Sequence, residues 1–374
     1  MQERVARCRD GLAEALKLLS QMVSMESPSF DKGLTDKFAS FVADQFHRNF
    51  DEAGAKVDII PAEKFGNHLR VHFPASLDKH ILLLGHMDTV WPAGELSKRA
   101  FTIQDGKALG PGVFDMKSGI VLSIMALRSL TDRPVTVLLT SDEEAGSSSS
   151  RALIEAEASR CQAVLVLEPS LPGGALKTAR KGVGRFTIKA TGRAAHAGIE
   201  PEKGINAIEE ISRQILKLQK MSDSRRGTTV TVGVVQGGTR SNVVPAEAGA
   251  EVDVRVTTME EAERIAHAIK SLGPELHDAR LEIHGGINRP PMERTEDTGR
   301  LFRLAQDLAA QIGMDLKEGA TGGGSDGNFT AALGIPTLDG LGAVGGGAHA
   351  IDEWVDISSL PERAALVAGL IEKI

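Results

Sequence analysis

Two histidines and a set of carboxylates are spread over five segments of the 374-residue chain, each where an apolar stretch or a glycine run ends. ILLLGHMDTV places His86 and Asp88 just past an apolar run. In extended chain, side chains two residues apart point the same way, so Asp88 can hold the His86 ring while the other ring nitrogen meets a cation. A hydrogen-bonded loop histidine fits the same pair. GPGVFDMKSG puts Asp115 just ahead of a helical pattern; a capping aspartate accounts for it, but not for the Gly110-Pro111-Gly112 turn before it. TSDEEAG presents Asp142, Glu143 and Glu144 at a strand end, where adjacent carboxylates repel unless a cation or proton sits among them. Solvated surface acids are the alternative. LVLEPS sets Glu168 at another strand end, closed by Pro169, which is where α/β enzymes carry functional groups and where an exposed glutamate is also ordinary. GGGAHAIDEW holds His349 in a loop. Two histidines and three carboxylates, with one carboxylate to spare, match the needs of a two-metal hydrolytic site with a bridging carboxylate and a separate general base.

Other chemistries compete. Gly323-Gly324-Ser325-Asp326-Gly327 satisfies G-x-S-x-G, and Asp339 and His349 follow in the order of a serine hydrolase. Glycines rather than an apolar strand precede Ser325, so the context is wrong for a nucleophile elbow. Gly340-Leu341-Gly342-Ala343-Val344-Gly345 matches a dinucleotide fingerprint, but no helix pattern follows it. A non-catalytic metal- or peptide-binding protein is the third reading, and a spare Glu143 argues against it. The chain has no tyrosine, which excludes a phenolic acid or oxyanion donor.

These segments need elements to position them. Helical period runs over Arg4 to Val23 and again over Lys32 to Phe50. Apolar, β-rich stretches follow at Val57 to Ile60, Leu69 to Phe73, Ile81 to Leu84, Val135 to Thr140 and Ala163 to Leu167, the later ones separated by helical segments near 116–130 and 148–157. This alternation predicts an α/β fold with its site at strand C-terminal ends. From Gly182 the order becomes β-α-β-β-α-β: strand Arg185 to Ala190, helix Asn206 to Lys220, strands Thr229 to Val235 and Ala248 to Val256, helix Met259 to Leu272 and strand Leu281 to His284. That is a ferredoxin-like pattern. Helices near 298–312 and 358–373 close the chain. The expected organisation is a catalytic domain in two parts, 1–181 and 288–374, around an inserted domain at 182–287.

Composition narrows the partners. A 41% hydrophobic, 25% charged chain is globular. Net charge is -7, and the scattered Lys and Arg leave no basic surface for nucleic acid. Cys8 and Cys161 cannot build a disulfide framework, the N-terminus lacks the apolar core of a signal peptide, and no run approaches a membrane span. A cytoplasmic protein acting on small molecules is the expectation. Histidines 47, 68, 72, 80, 267, 277 and 284 carry no distinguishing partner and are assigned structural or surface roles.

Over essentially its whole length the chain resembles the co-catalytic zinc exopeptidases and deacylases. That family includes bacterial glutamate carboxypeptidase, acetylornithine deacetylase and succinyl-diaminopimelate desuccinylase, and the look is most like the first. The resemblance implies an α/β zinc-exopeptidase catalytic domain, with a central mixed sheet flanked by helices, and an inserted ferredoxin-like lid and dimerisation domain. It implies two Zn2+ ions per subunit, with Co2+ or Mn2+ also accepted. Asp115 would bridge them, His86 and Glu168 would complete one site, and Glu144 and His349 the other. Glu143 would be the general base and Asp88 would orient His86. The Asp115-Met116 bond would be cis. In ATGRAAHAGIEPEKGINA, His196 would reach across a homodimer to stabilise the oxyanion in the partner's site. Asn242 of GGTRSNVVPAEA, Arg255 of AEVDVRV and Arg289 of INRPPM would bind the substrate's free carboxylate, with Gly324 and Ser325 in a substrate-binding loop. The implied substrates are small peptides or N-acyl amino acids, cleaved at the amide beside that carboxylate.

Overall fold

Along strand His80–His86, Leu82 and Leu84 face one side and Ile81 and Leu83 the other, and all four are fully buried. A strand of that kind must be covered on both faces. In the computed structural model, which describes residues 1–74, 80–132 and 134–374, two layers of helices do this. Leu82 and Leu84 pack in a cluster with Ile154, Ala158 and Phe329. Ile81 and Leu83 belong to the larger core with Phe38, Phe46, Ile120 and Leu366.

The sheet is mixed. Its order is Lys56–Ile60, His68–His72, Val135–Thr140, His80–His86, Cys161–Val166 and Thr337–Leu338. The last four run parallel, and the first two complete one edge antiparallel. The parallel strands therefore deliver His86, the Asp142–Glu144 turn and Glu168 to the same sheet end. Helix Ser118–Arg128, buried from Ser118 to Leu127, packs between helices Leu12–Val23 and Leu360–Lys373.

By its internal contacts the chain divides into two units: Met1–Ala179 with Arg294–Thr321 and Ser325–Ile374, and Arg180–Glu293 with Gly322–Gly324. The second has a four-stranded antiparallel sheet ordered Thr229–Gly237, Glu247–Val256, Gly182–Thr191, Arg280–Arg289. Helices Ala207–Gln219 and Met259–Lys270 bury Ala207, Ile211, Leu218, Ala262, Ile265 and Ile269 in its core. Both start at side-chain caps, Asn206 and Thr258. In chain order the strands lie fourth, first, third, second, as the ferredoxin-like pattern requires. The fold is thus α/β, with a central mixed sheet flanked by helices and an added α+β unit. No helix among the described residues is long and apolar enough to cross a membrane.

Three local expectations are corrected. The first helix is two, Gln2–Asp10 and Leu12–Val23, broken at Gly11, where glycine's backbone freedom weakens the helix. Val113–Lys117 form a π-helical turn ahead of the helix at Ser118, so Asp115 lies inside a turn rather than capping a helix. The Asp115-Met116 bond is trans, and the chain passes through this helical turn without a cis bond. A small sheet of Thr102–Gln104, Lys107–Leu109, Gly345–Gly346 and Trp354–Asp356 was not expected.

Candidate metal centre

At the C-terminal end of the sheet the first unit gathers two groups of ligand-type side chains. One is His86, Glu143 and Glu168; the other is Asp115, Glu144 and His349, and within each group a ligand atom from every residue lies within 4.8 Å of the others. Glu143 and Glu144, neighbours in sequence, thus fall into different groups. His86 Nε2 is 3.4 Å from Glu168 Oε1. His349 Nε2 is 2.9 Å from Glu144 Oε1 and 3.6 Å from Asp115 Oδ1. The charges of His86 and Glu168 also act on Asp115.

Asp88 is the node of this arrangement. It is fully buried. Its backbone carbonyl meets His86 Nδ1 at 3.0 Å and its carboxylate lies 3.4 Å from the same nitrogen, leaving Nε2 to face the group. The carboxylate also accepts from the Glu143 N–H at 3.2 Å, the Glu144 N–H at 3.1 Å and the Ser29 hydroxyl at 2.7 Å. One residue therefore sets the ring of His86, chiefly through its carbonyl, and through its carboxylate the backbone that carries both glutamates.

The turn carrying Glu143 and Glu144 is held from behind. Asp326 accepts from Thr140 at 2.8 Å and from Ser147, spanning both ends of the turn. Asp142 accepts from the N–H and hydroxyl of Ser149 at 2.7 and 2.8 Å. His68 Nδ1 accepts from the Ser141 N–H at 3.1 Å, which leaves Nε2 to face Ser149 Oγ at 3.2 Å. Burial holds this ring below the ordinary histidine range, so it stays neutral. His68, read from sequence as structural, has that role at the turn itself.

Glu353 is the residue that sequence reasoning missed. Almost fully buried, it accepts from the N–H groups of Gly112, Phe114 and Asp115 at 2.8, 2.8 and 2.9 Å and so pins the π-turn. Its partners lie some 240 residues upstream, and no local pattern marks them. Glu353→Ala should destabilise the protein by roughly 3 kcal/mol, because buried donors to a carboxylate lose their acceptor. Urea unfolding measures this, and a change below about 0.5 kcal/mol would show that the turn holds itself.

Glycine is required where Glu168 is seated. A Cβ at Gly119 or Gly342 would come within 2.3 Å of the Leu167 carbonyl, so helix and loop can press onto this strand end only without side chains.

The electrostatics call for a cation. Burial pushes the Glu144 carboxyl up to about 7. Asp115 and Glu144 together push His349 up to about 11. Burial opposes charge on His86, yet Asp88 and Glu168 hold it well above the ordinary histidine range. Where no metal is bound, protons on the histidines supply the positive charge that these carboxylates need. Histidine nitrogens and carboxylate oxygens at this spacing are the donor set of a borderline divalent ion, so the residues present fit one.

Ser325 is fully buried and its hydroxyl donates to Asp339 at 2.7 Å, which is not the placement of an exposed nucleophile. Of the remaining predicted residues, His196, Asn242, Arg255, Arg289 and Gly324 lie in the second unit. His196 is exposed, and its Nδ1 accepts from the Gly198 N–H at 3.1 Å, which leaves Nε2–H as an outward donor. Asn242 is exposed, with its carbonyl accepting from the Ala197 N–H. Arg255 forks onto Asp253 at 2.9 and 3.0 Å, the ion pair that its strand position allows. Arg289 is buried, and a Cβ at Gly324 would lie 2.8 Å from its Cδ, so that glycine gives the arginine room.

Comparison with known proteins bears on this arrangement. The model of peptidase family M20/M25/M40 matches residues 82–373. Carboxypeptidase G2 of Pseudomonas sp. (strain RS-16) is 34% identical over 304 residues, covering 78% of this chain and 73% of that protein. A succinyl-diaminopimelate desuccinylase of Dechloromonas aromatica is 28% identical over 315 residues, 78% of this chain and 82% of the relative. Among solved structures, the aminopeptidase PepT of Bacillus cereus superposes with a TM-score of 0.77 at 22% identity, over 96% of this chain and 98% of that one. A Bacillus subtilis protein described as a dinuclear metal-binding peptidase of the M20 family gives 0.68 at 18%, over 97% and 98%. Those two show the fold; the family match and the carboxypeptidase relative carry the assignment, and the chain belongs to peptidase family M20/M25/M40 as one of its metallopeptidases.

Proposed function

We propose that the two groups hold two divalent ions, zinc foremost with cobalt or manganese as substitutes, and that the enzyme hydrolyses an amide bond beside a free carboxylate. The convergence of His86, Glu143 and Glu168, and of Asp115, Glu144 and His349, each within 4.8 Å, carries this reading. His86 and Glu168 would hold one ion, Glu144 and His349 the other, and Asp115 would bridge. Bound there, such ions polarise a carbonyl and acidify water.

The chain's own residues do the rest. Glu143 takes the proton of the attacking water and returns it to the departing amine, which needs no acyl-enzyme and no serine. Asp88 positions Glu143 through its backbone N–H and His86 through its ring. His196, with Nε2–H outward, is a donor for the developing oxyanion. We assign it to the site of a second copy of the chain, which makes the active form a homodimer. Asn242 and Arg289 are assigned to the substrate carboxylate, for which a planar guanidinium is suited.

The carboxypeptidase and desuccinylase relatives both carry names that fit an amide beside a carboxylate. A hydrolysis screen over C-terminal peptides and N-acyl amino acids, with and without chelator, tests the proposal; no metal-dependent release of an amino acid from any of them would overturn it. A second result is expected of Arg289→Ala: a loss of roughly thirty- to a thousand-fold in kcat/KM on free-carboxylate substrates, with little further loss on amidated ones. Equal losses on both would remove Arg289 from carboxylate recognition.

A further inference from the structure

Of the ligand-type residues at the candidate metal centre, His349 has the least support from its own element. It lies in the tip, residues 347–353, that joins the paired strands Gly345–Gly346 and Trp354–Asp356. Its φ is +63°, a left-handed conformation uncommon for a residue with a Cβ. Its side chain is half-exposed, whereas that of His86 is buried. Inside the tip the Ala350 N–H donates to the Gly347 carbonyl at 2.8 Å and the Glu353 N–H to the Ala350 carbonyl at 3.3 Å. These bonds shape a turn; they do not fasten it to the sheet end.

The fastening comes from another segment. Arg99 Nη1 donates to the Ile351 carbonyl at 2.9 Å and to the Ala350 carbonyl at 3.4 Å, the two residues that follow His349. The guanidinium is itself fixed: its Nε donates to Glu95 at 2.8 Å, and it lies 4.0 Å over the Trp91 ring. Trp91 Nε1 in turn donates to Glu353 at 3.3 Å, the carboxylate that pins the turn carrying Asp115. Arg99 closes the stretch that opens with His86 and Asp88. The stretch that supplies one histidine therefore clamps the loop that supplies the other.

We propose that Arg99, seated on Trp91, is the positioning residue for His349, so that the ion of the Asp115, Glu144 and His349 group is retained through the 86–99 segment. The inference deepens the two-ion reading above and rests on it. A guanidinium suits the task because its flat fork can serve successive carbonyls while its face stays on the indole, which an ammonium cannot do. Charge alone predicts the opposite effect: a cation near a divalent ion repels it, so removing Arg99 would tighten the ion. The sign of the change separates positioning from electrostatics.

The test is a zinc titration of the chelator-stripped full chain against a chromophoric competitor, for wild type, Arg99→Met and Arg99→Lys. Arg99→Met should weaken one of the two ions by about ten- to a hundredfold, the range for losing a group that orients a ligand, and leave the other within about twofold. Arg99→Lys, which keeps the charge and a donor, should recover part of the loss. In a His349→Ala background Arg99→Met should add nothing, since the ligand that it positions is gone. Equal weakening of both ions, a tighter ion in Arg99→Met, or an undiminished further loss in the His349→Ala background would overturn the proposal. Failure of the two-ion reading is seen separately, as a wild type that binds fewer than two ions. In that event hydrogen exchange of the stripped protein decides: the 344–353 peptide should exchange faster in Arg99→Met than in wild type, with the 135–150 peptide unchanged. Unchanged exchange at 344–353 would remove Arg99 from the placing of His349.

Discussion

Glu143→Ala should lower turnover by about three to five orders of magnitude while leaving about two metal ions per chain, because a general base is not a ligand. The expectation is sharp because Glu143 lies within ligand distance of His86 and Glu168. If its carboxylate holds the ion, removing it releases metal; if it serves the water, the ion stays. Glu144→Ala should behave oppositely. Its carboxyl is the one nearest His349, and without it the Asp115–His349 group loses a donor and about one ion. Turnover assayed beside metal analysis separates the two, and equal metal loss in both variants would show that the roles are not divided as assigned.

The second large effect concerns His196. His196→Ala should lower turnover by about a hundred- to a thousand-fold with metal content intact, the scale of losing one oxyanion donor. If that histidine serves the other copy, each site is composite. Mixing inactive His196→Ala with inactive Glu143→Ala then restores activity, because one site of each mixed dimer has both groups intact. Random exchange puts about half of the dimers in that state and predicts up to roughly a quarter of wild-type activity per site, if the sites act independently. Exchange verified by mass without recovery would return His196 to its own chain or remove it from the chemistry.

How much of this the sequence could tell follows from the physics of each part. Strand Val135–Thr140 was readable to the residue because it is buried on both faces and continuously apolar. The inserted pattern was readable because amphipathic helices with cap residues alternate with strands of period two. Ligand types were legible because carboxylates at buried strand ends are costly without a partner. The break at Gly11 was hidden, since apolar period continues through it. Glu353, His68 and Asp326 were hidden for another reason: their hydrogen bonds reach across the fold to backbone and hydroxyl groups, and nothing near them in sequence marks the connection. Ser325 matched a motif by letter, yet its hydroxyl is spent on Asp339 beneath the surface.

The central claim is that hydrolysis depends on metal held by His86, Asp115, Glu144, Glu168 and His349, with Glu143 as the base. Its most direct measurement is a zinc titration of the chelator-stripped protein, following amide hydrolysis and bound metal together, with a serine-directed phosphonate as a parallel arm. The account predicts no activity in the stripped protein, recovery that reaches its plateau at about two ions per chain, and indifference to the phosphonate. Full activity in the stripped protein together with its loss to the phosphonate would contradict the account.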